Sequence, residues 1–215
     1  MVWDFNHVVK IKFHNETKDL ALIPTTGTSE VVLLHNKCNK CWSLHGAKWQ
    51  ADQPKHSAVS HKKKFEYFYM MHLYDVEVEG HYYKVDACIF GHGTKDACGR
   101  DFIVYAVEQA KPWFYTLGEG YLGLAPSHGY ENKVENSMFN QMYDKGMIHK
   151  KIIGVHTHNS NVTDTENHSQ IRFGEGNQKF FNMDNELVYM KSKSKTSWEV
   201  KFDSAGFHTE AIWKN

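Results

Sequence analysis

Short apolar runs separated by polar turns dominate the hydrophobic pattern of this chain. Residues 29–34 end in four consecutive apolar side chains and follow the turn-forming Thr25-Thr26-Gly27. Residues 102–107 form a second apolar run, and residues 8–13 alternate partly between apolar and polar, as a half-buried strand does. The pattern therefore predicts a protein built mainly of β-strands.

The rest of the chain continues this pattern. Residues 65–78 are rich in aromatic and β-branched side chains, and we expect Gly80 to turn the chain into a strand over 81–85. We predict a loop over 91–99, where glycine and polar residues cluster. Three later strands are expected at 151–155, at 171–173 and in the alternating tail around 198–202.

One helix is predicted, at about 136–146. Asn136 or Ser137 is suited to cap its start, and Gly146 is suited to end it. One helix among many strands favours a β-barrel or a β-sandwich. Four large side chains share one face of this helix: Met138, Phe139, Met142 and Tyr143.

The charge balance argues against a nucleic-acid partner. The chain has 25 Lys and Arg residues against 25 Asp and Glu residues, so its formal net charge is zero. Proteins that bind the phosphate backbone normally carry clustered positive charge, so we do not expect a nucleic-acid partner. No stretch approaches the run of about 18 apolar residues that spans a bilayer, so no direct membrane span is expected.

The compartment prediction depends on the N-terminus. The first ten residues show no basic segment followed by an apolar run, which is the pattern of a secretory signal. We therefore expect an intracellular protein, either mitochondrial or cytoplasmic and cytoskeletal. Cysteines stay reduced in most such compartments, so we expect Cys38, Cys41, Cys88 and Cys98 to be thiols.

The cysteine spacing leaves a metal site open. Cys38 and Cys41 have C-x-x-C spacing, and they could bind a structural zinc together with Cys88 and Cys98, or with His35 or His45. Cys88 and Cys98 lack the spacing of a zinc knuckle, so ordinary thiols and no cofactor are favoured. His156 and His158 share a strand face, but no third ligand lies near them in sequence.

A resemblance to a known family begins at residues 118–126. The segment Gly-Glu-Gly-Tyr-Leu-Gly-Leu-Ala-Pro resembles the Asp-Gly-Ile-Leu-Gly-Leu stretch of the pepsin-like aspartic proteases (peptidase family A1), with Glu119 in the place of Asp. The family's following helix and strands are matched in order by residues 138–148, 152–156 and 171–176. The resemblance covers residues 20–205 and implies a pepsin-like β-barrel lobe.

The same resemblance implies a domain division and a lost activity. Residues 1–176 correspond to the family's N-terminal lobe, and 177–215 to the inter-lobe segment and a truncated start of the second lobe. The family's catalytic loop reads Asp-Thr-Gly-Ser, whereas the aligned positions here are His35, Asn36, Lys37 and Cys38. These proteases need two carboxyls that share one proton. No Asp-Thr-Gly or Asp-Ser-Gly motif occurs in this chain, so we expect no enzyme activity.

Further expectations concern the substrate cleft and the partners. The family's flap hairpin should lie within 69–80, with Tyr69 or Tyr74 as its tyrosine, although the flap's glycine signature is absent. Half of a two-lobed fold would leave strand edges and apolar surface uncovered. We therefore expect other protein subunits to cover that truncated-lobe face, and the protein to be an inactive structural or accessory subunit of a larger complex. The alternatives are a peptide-binding module that does not cleave, or a zinc-binding protein through Cys38 and Cys41.

Overall fold

A computed structural model describes most of the chain. The described residues are 8–13, 18–44, 46, 48–50, 55–56, 58–69, 72–89, 97–126, 137–156, 170–174, 190–194, 198–201, 204–207 and 210–214. The predicted boundary between two domains, at 176–177, lies outside them.

Thirteen strands and one helix account for the regular structure of these residues. Strands β1 to β5 span Val9–Phe13, Leu20–Thr25, Val31–Leu34, Cys41–Ser43 and His61–Tyr69. Strands β6 to β9 span His72–Ile89, Ala97–Lys111, Phe114–Thr116 and Gly120–Gly123. Helix α1 spans Met138–Asp144, and strands β10 to β13 span Ile153–His156, Gln170–Phe173, Ser204–Phe207 and Glu210–Lys214. The structure confirms the prediction of a mostly β protein with one helix.

A seven-stranded sheet positions the residues of the site. Its strand order is β1-β2-β9-β3-β7-β6-β5, and β1 also pairs with β6. The pairings therefore return to their starting strand, linking β1, β2, β9, β3, β7 and β6 in a ring. Strand β3 is central, because it pairs in parallel with β7 and antiparallel with β9.

Both faces of β3 are buried, which explains its unbroken apolar sequence. Val31 and Leu33 belong to one hydrophobic cluster, while Val32 and Leu34 belong to a second cluster on the opposite face. The first cluster also contains Trp49 and residues of α1. The second contains Val76, Tyr105, Phe114 and the disulfide-bonded Cys38 and Cys41.

The predicted turn at Gly80 is wrong. Gly80 lies inside β6, where the register with β7 shifts between Glu79 and Gly80. A Cβ atom at this position would lie 1.9 Å from the Ala106 carbonyl oxygen on β7. Glycine is therefore present because the backbone of a neighbouring strand approaches closely. The predicted loop also ends early, because Ala97–Gly99 belong to β7.

Helix α1 packs as predicted except at one position. Met138, Phe139 and Met142 are buried, but Tyr143 is 43% exposed, and the Lys151 ammonium lies 4.9 Å from its ring centroid. Gln141 fixes the helix to β7, since its side chain accepts the Ile103 N–H at 2.6 Å and donates to the Ile103 carbonyl at 3.0 Å. Ser137 precedes the helix without a side-chain capping bond, and Gly146 follows it with φ of 68°.

The tail does not form the predicted strand. Residues 198–201 are irregular, and the last strands, β12 and β13, form a hairpin beyond them. The Trp198 indole N–H donates to the Leu124 carbonyl at 2.8 Å. This bond fixes the start of residues 198–201 to the segment that follows β9.

Candidate functional site

His35, which the sequence resemblance aligns with a catalytic Asp, directly follows β3. The His35 backbone N–H donates to the Val107 carbonyl at 3.0 Å, and Trp49 donates to the Leu34 carbonyl at 2.7 Å. Asn36 then donates to the Trp49 carbonyl at 2.9 Å. This backbone network extends the sheet past β3 and fixes the direction of the His35 side chain.

The His35 imidazole is buried, with 2% of the residue exposed. Its Nδ1 accepts the Lys37 backbone N–H at 3.0 Å, so the proton of the neutral ring lies on Nε2. The ring lies 5.9 Å from the rings of both Trp49 and Tyr83, measured between centroids. Within the described part of the chain, Nε2 is buried without a hydrogen-bond partner.

Burial sets the protonation state of His35. Desolvation lowers the pKa of the imidazole, and the charges of Lys37 and Lys55 lower it further, although the Glu108 carboxylate opposes them. The ring is therefore neutral at neutral pH. A neutral imidazole that already accepts a backbone N–H cannot take the place of a carboxylate that shares a proton with a second one.

Glu108 on β7 forms a polar group beside this imidazole. Its carboxylate accepts the Tyr83 hydroxyl at 2.6 Å, and Lys55 Nζ lies 3.9 Å away. His81 Nδ1 lies 3.1 Å from the other carboxylate oxygen, but the angles are not those of a hydrogen bond. Burial raises the pKa of Glu108, but the Tyr83 hydrogen bond and the charges of His81 and Lys55 outweigh it, so the net pKa is lowered.

Glu119, the second residue singled out by the sequence resemblance, connects neighbouring strands. It is 7% exposed, and its carboxylate accepts the Ala21 N–H on β2 at 2.6 Å. Its own N–H donates to the Ala21 carbonyl at 2.8 Å, and its carbonyl accepts the Leu34 N–H at 3.4 Å. Glu119 therefore joins β2 to the end of β3, just before His35.

The remaining positions of the catalytic-loop motif have separate environments. Asn36 and Lys37 are exposed, whereas Cys38 is fully buried. The Lys48 ammonium donates to the Cys38 carbonyl. The three residues therefore form a turn after His35 and do not converge on a common point.

The prediction of four thiols is wrong. Cys38 is bonded to Cys41, Cys88 is bonded to Cys98, and the chain has no free cysteine. Cys88 and Cys98 are direct neighbours across β6 and β7. Their separation in sequence gave no sign of this pairing. A cysteine binds zinc as a thiolate, so these disulfide-bonded sulfurs cannot form the possible zinc site. Among the described residues, no three His, Cys, Asp or Glu side chains are grouped to hold a metal.

The flap-like residues lie on the hairpin of β5 and β6. Tyr69 ends β5 opposite His72, and Tyr74 pairs with Tyr67. The turn of this hairpin lies between Tyr69 and His72, so residues 72–80 form one continuous strand and not a complete hairpin. The side chains of Tyr69 and Tyr74 lie outside the described part of the structure, as does the side chain of His156. His45 and His158 lie outside it entirely.

Sequence analysis missed the residues that surround His35. Glu108 directly follows an apolar run, and its charge at the end of that run was an available but weak signal. Trp49, Lys55 and Tyr83 reach the site from separate segments, and no local pattern connects those segments. Their association therefore became visible only through the pairing of β3, β6 and β7.

Comparison with known proteins identifies no family for this chain. No protein-family model matches the chain, and no curated protein matches it. Across the described residues, no helix has both the length and the apolar composition needed to cross a bilayer.

Proposed function

We propose that this protein is a catalytically inactive relative of the pepsin-like aspartic proteases and acts as an accessory subunit of a larger protein assembly. One observation carries the proposal. The position that matches the catalytic Asp holds a buried His35, packed beside Trp49 and Tyr83.

The chemistry of the site supports the loss of activity. Water attack on an amide in this family requires two carboxyls that share one proton. Glu108 acts on His35 through its charge, but the Tyr83 hydroxyl already holds its carboxylate. A single ionised carboxylate beside a neutral imidazole provides no symmetric proton-sharing pair.

The arrangement of strands supports the pepsin-like assignment. A barrel requires pairings that return to their starting strand, as those linking β1, β2, β9, β3, β7 and β6 do, and the β5–β6 hairpin overlaps the start of the segment expected for the flap. Helix α1 and strands β10 and β11 follow β9 in the order of the family's motifs. The proposed fold is therefore a pepsin-like β-barrel lobe.

We propose an oxidising compartment for the protein. Disulfides form and persist where thiols are not kept reduced, and this chain carries two. The two disulfides therefore argue against the cytoplasmic localisation that the N-terminal sequence suggested. Alkylation of the native protein before reduction tests this: we expect no modified cysteine, whereas four modified cysteines would contradict the proposal.

The absence of catalysis is tested by incubating the purified protein with a quenched fluorescent peptide library from acidic to neutral pH. We expect no cleavage by the wild type or by His35→Asp, since one restored acid does not create a pair. A pepsin-like protease serves as the positive control. Cleavage that a transition-state-analogue inhibitor of this family blocks would overturn the proposal.

The accessory role is tested by purifying the tagged protein from its own cells under native conditions. We expect it to migrate as part of a complex larger than the 25.0 kDa chain, with a fixed set of other proteins. A stable monomer without any such proteins would contradict the role.

The β5–β6 hairpin favours a second candidate function, a groove that binds peptides without cleaving them. That function predicts that the protein binds members of the quenched fluorescent peptide library.

A further inference from the structure

Strands β4 and β8 carry a row of exposed apolar side chains. The two strands pair in parallel, and Cys41, Ser43, Phe114 and Thr116 point into the core. The alternate positions therefore face outward. The row consists of Trp42 (46% exposed), Leu44 (60%), Trp113 (47%), Leu117 (39%) and the half-buried Tyr115.

The aromatic members of this row form one continuous platform. The Trp42 and Tyr115 ring centroids lie 6.0 Å apart, and those of Trp113 and Tyr115 lie 6.2 Å apart at an interplanar angle of 26°. Tyr115 thus connects the two tryptophans. Exposed aromatic side chains held in place by their neighbours are typical anchors of protein interfaces.

A basic concavity adjoins the platform. Its volume is about 480 Å³, and its lining includes the exposed Lys37, Lys40 and Lys111. The Lys40 carbonyl accepts the Phe114 N–H at 2.9 Å, which places this lysine at the start of the β4–β8 pair. Lys111 is separated from Trp113 only by Pro112. We call the three lysines and the aromatic platform together the lysine–tryptophan surface.

The three lysines of this surface have few acidic neighbours. Among the described residues, none of the three makes an ion pair, whereas Lys62 and Lys64 on β5 do. Glu77 on β6 is the cross-strand neighbour of Lys111 but makes no ion pair with it. The acid in the lining is Glu108, and its carboxylate accepts the Tyr83 hydroxyl and lies beside His81 and Lys55. A ligand that brings carboxylates would therefore meet three ammonium groups that have no ion-pair partner.

We infer that the lysine–tryptophan surface binds an acidic segment of a partner protein, with carboxylates on the lysines and apolar side chains on the platform. The inference rests on the proposed function, because it names the chemistry of the subunit's partner. Complementary charge steers such an association and selects the partner, while burial of the aromatic side chains supplies affinity. The alternative of single-stranded nucleic acid, which also combines stacking with positive charge, is less favoured because the chain has no net charge.

The test uses fluorescence anisotropy with a short labelled peptide in which Glu alternates with Leu. We expect the wild type to bind it, with affinity that falls as salt rises. Reversing the charge in Lys37→Glu/Lys40→Glu/Lys111→Glu should weaken binding by about tenfold or more. The matched control reverses three exposed lysines elsewhere, Lys10→Glu/Lys12→Glu/Lys150→Glu, and should change the affinity less than about twofold.

The platform is tested separately from the lysines. Trp113→Ala should weaken peptide binding by about tenfold, whereas Val155→Ala, which truncates an exposed apolar residue on β10, should not. Circular dichroism confirms that each variant is folded. Equal binding of a peptide with Gln in place of Glu, or unchanged binding by the triple lysine variant, would overturn the inference. Tighter binding of an oligothymidine than of the acidic peptide would also overturn it.

Failure of the inference and failure of the proposed function give different results in this assay. Mass spectrometry of the peptide after incubation reports cleavage, which would count against the proposed function. An intact peptide that does not bind would reject only the acidic-segment inference. An intact peptide that binds and responds to the lysine variants supports both.

Discussion

At the scale of single residues, His35 shows how a polar side chain can form part of a core. A carboxylate in this place would need a charged or donating partner, because an isolated buried charge is expensive. The neutral imidazole avoids that cost, since its Nδ1 accepts the Lys37 N–H and its ring packs near Trp49 and Tyr83. The remaining polar cost is the Nε2–H, which has no partner among the described residues.

The lowered pKa of His35 predicts a pH dependence of stability. Its folded pKa lies below the ordinary value of 6.5, so between the two values the unfolded chain binds more protons. The free energy of unfolding should therefore fall as pH drops below about 6.5 and level off, for this group, below the folded pKa. Urea unfolding across this range measures it.

The control for this prediction is His35→Gln, which removes the titrating group. Its free energy of unfolding should fall less steeply over the same pH range. Carboxylates that do not interact with His35 contribute equally to both proteins. Glu108 does interact with His35, but its pKa is lowered from the ordinary 4.5, so it titrates below the pH range compared here. Parallel pH curves for wild type and variant would contradict the assignment.

Glu119 provides a second test at this scale. Glu119→Ala should lower the free energy of unfolding by about 1–3 kcal/mol, because it leaves the partly buried Ala21 N–H without its side-chain acceptor. Glu119→Gln keeps an oxygen acceptor and should cost less. Urea denaturation compares the two, and an equal loss in both variants would show that the charge matters and the acceptor does not.

At the scale of elements, β6 is a long strand that contains a glycine, Gly80, in its interior, where glycine normally weakens a strand. Gly80 is tolerated because the register shifts there and the Ala106 carbonyl approaches closely. The strand then continues to Cys88, which is bonded to Cys98 on β7. Continuity of β6 carries Tyr83 to His35 and also builds the β5–β6 hairpin, so one element serves two parts of the site.

Gly80→Ala should therefore be strongly destabilising. Its Cβ would lie 1.9 Å from a backbone oxygen, which cannot move without shifting β7, so we expect a loss of at least about 2 kcal/mol. Gly27→Ala is the matched control, because its Cβ would meet no atom closer than 3.4 Å in an exposed turn. Thermal and urea unfolding measure the free energy of unfolding of both variants. Similar losses in Gly80→Ala and Gly27→Ala would argue against the close approach of the Ala106 carbonyl to Gly80.

At the scale of the whole molecule, the ring of pairings and the two disulfides determine how the site is supported. Two hydrophobic clusters cover the two faces of β3, so His35 follows a strand that is buried on both sides. The Cys88–Cys98 bond links β6 to β7, and the Cys38–Cys41 bond closes the turn after His35. The lysine–tryptophan surface borders that second bond.

Removal of the Cys88–Cys98 bond should lower the stability of the entire fold. The bond joins residues ten positions apart, and closing a loop of that size is expected to contribute about 2–3 kcal/mol. Urea unfolding of Cys88→Ala/Cys98→Ala should show this loss without reductant. With reductant the difference from wild type should shrink, because both proteins then lack the bond; a constant difference would point to lost side-chain packing instead.

The sequence by itself determined the features that local patterns encode. Alternating and continuous apolar runs predicted a mostly β protein, and helical spacing predicted α1 around Met138, Phe139 and Met142. The proposed replacement of a catalytic Asp by His35 also comes from the sequence alone, because it depends on a resemblance carried by sequence motifs.

Only the tertiary structure decided the features that depend on residues distant along the chain. The pairing of Cys88 with Cys98, the passage of β6 through Gly80 and the meeting of His35, Tyr83 and Glu108 all arise from strand register. Register is set by which faces are buried together, and many residues determine it jointly. No short segment records that information, so these contacts could be found only when the strands were placed side by side.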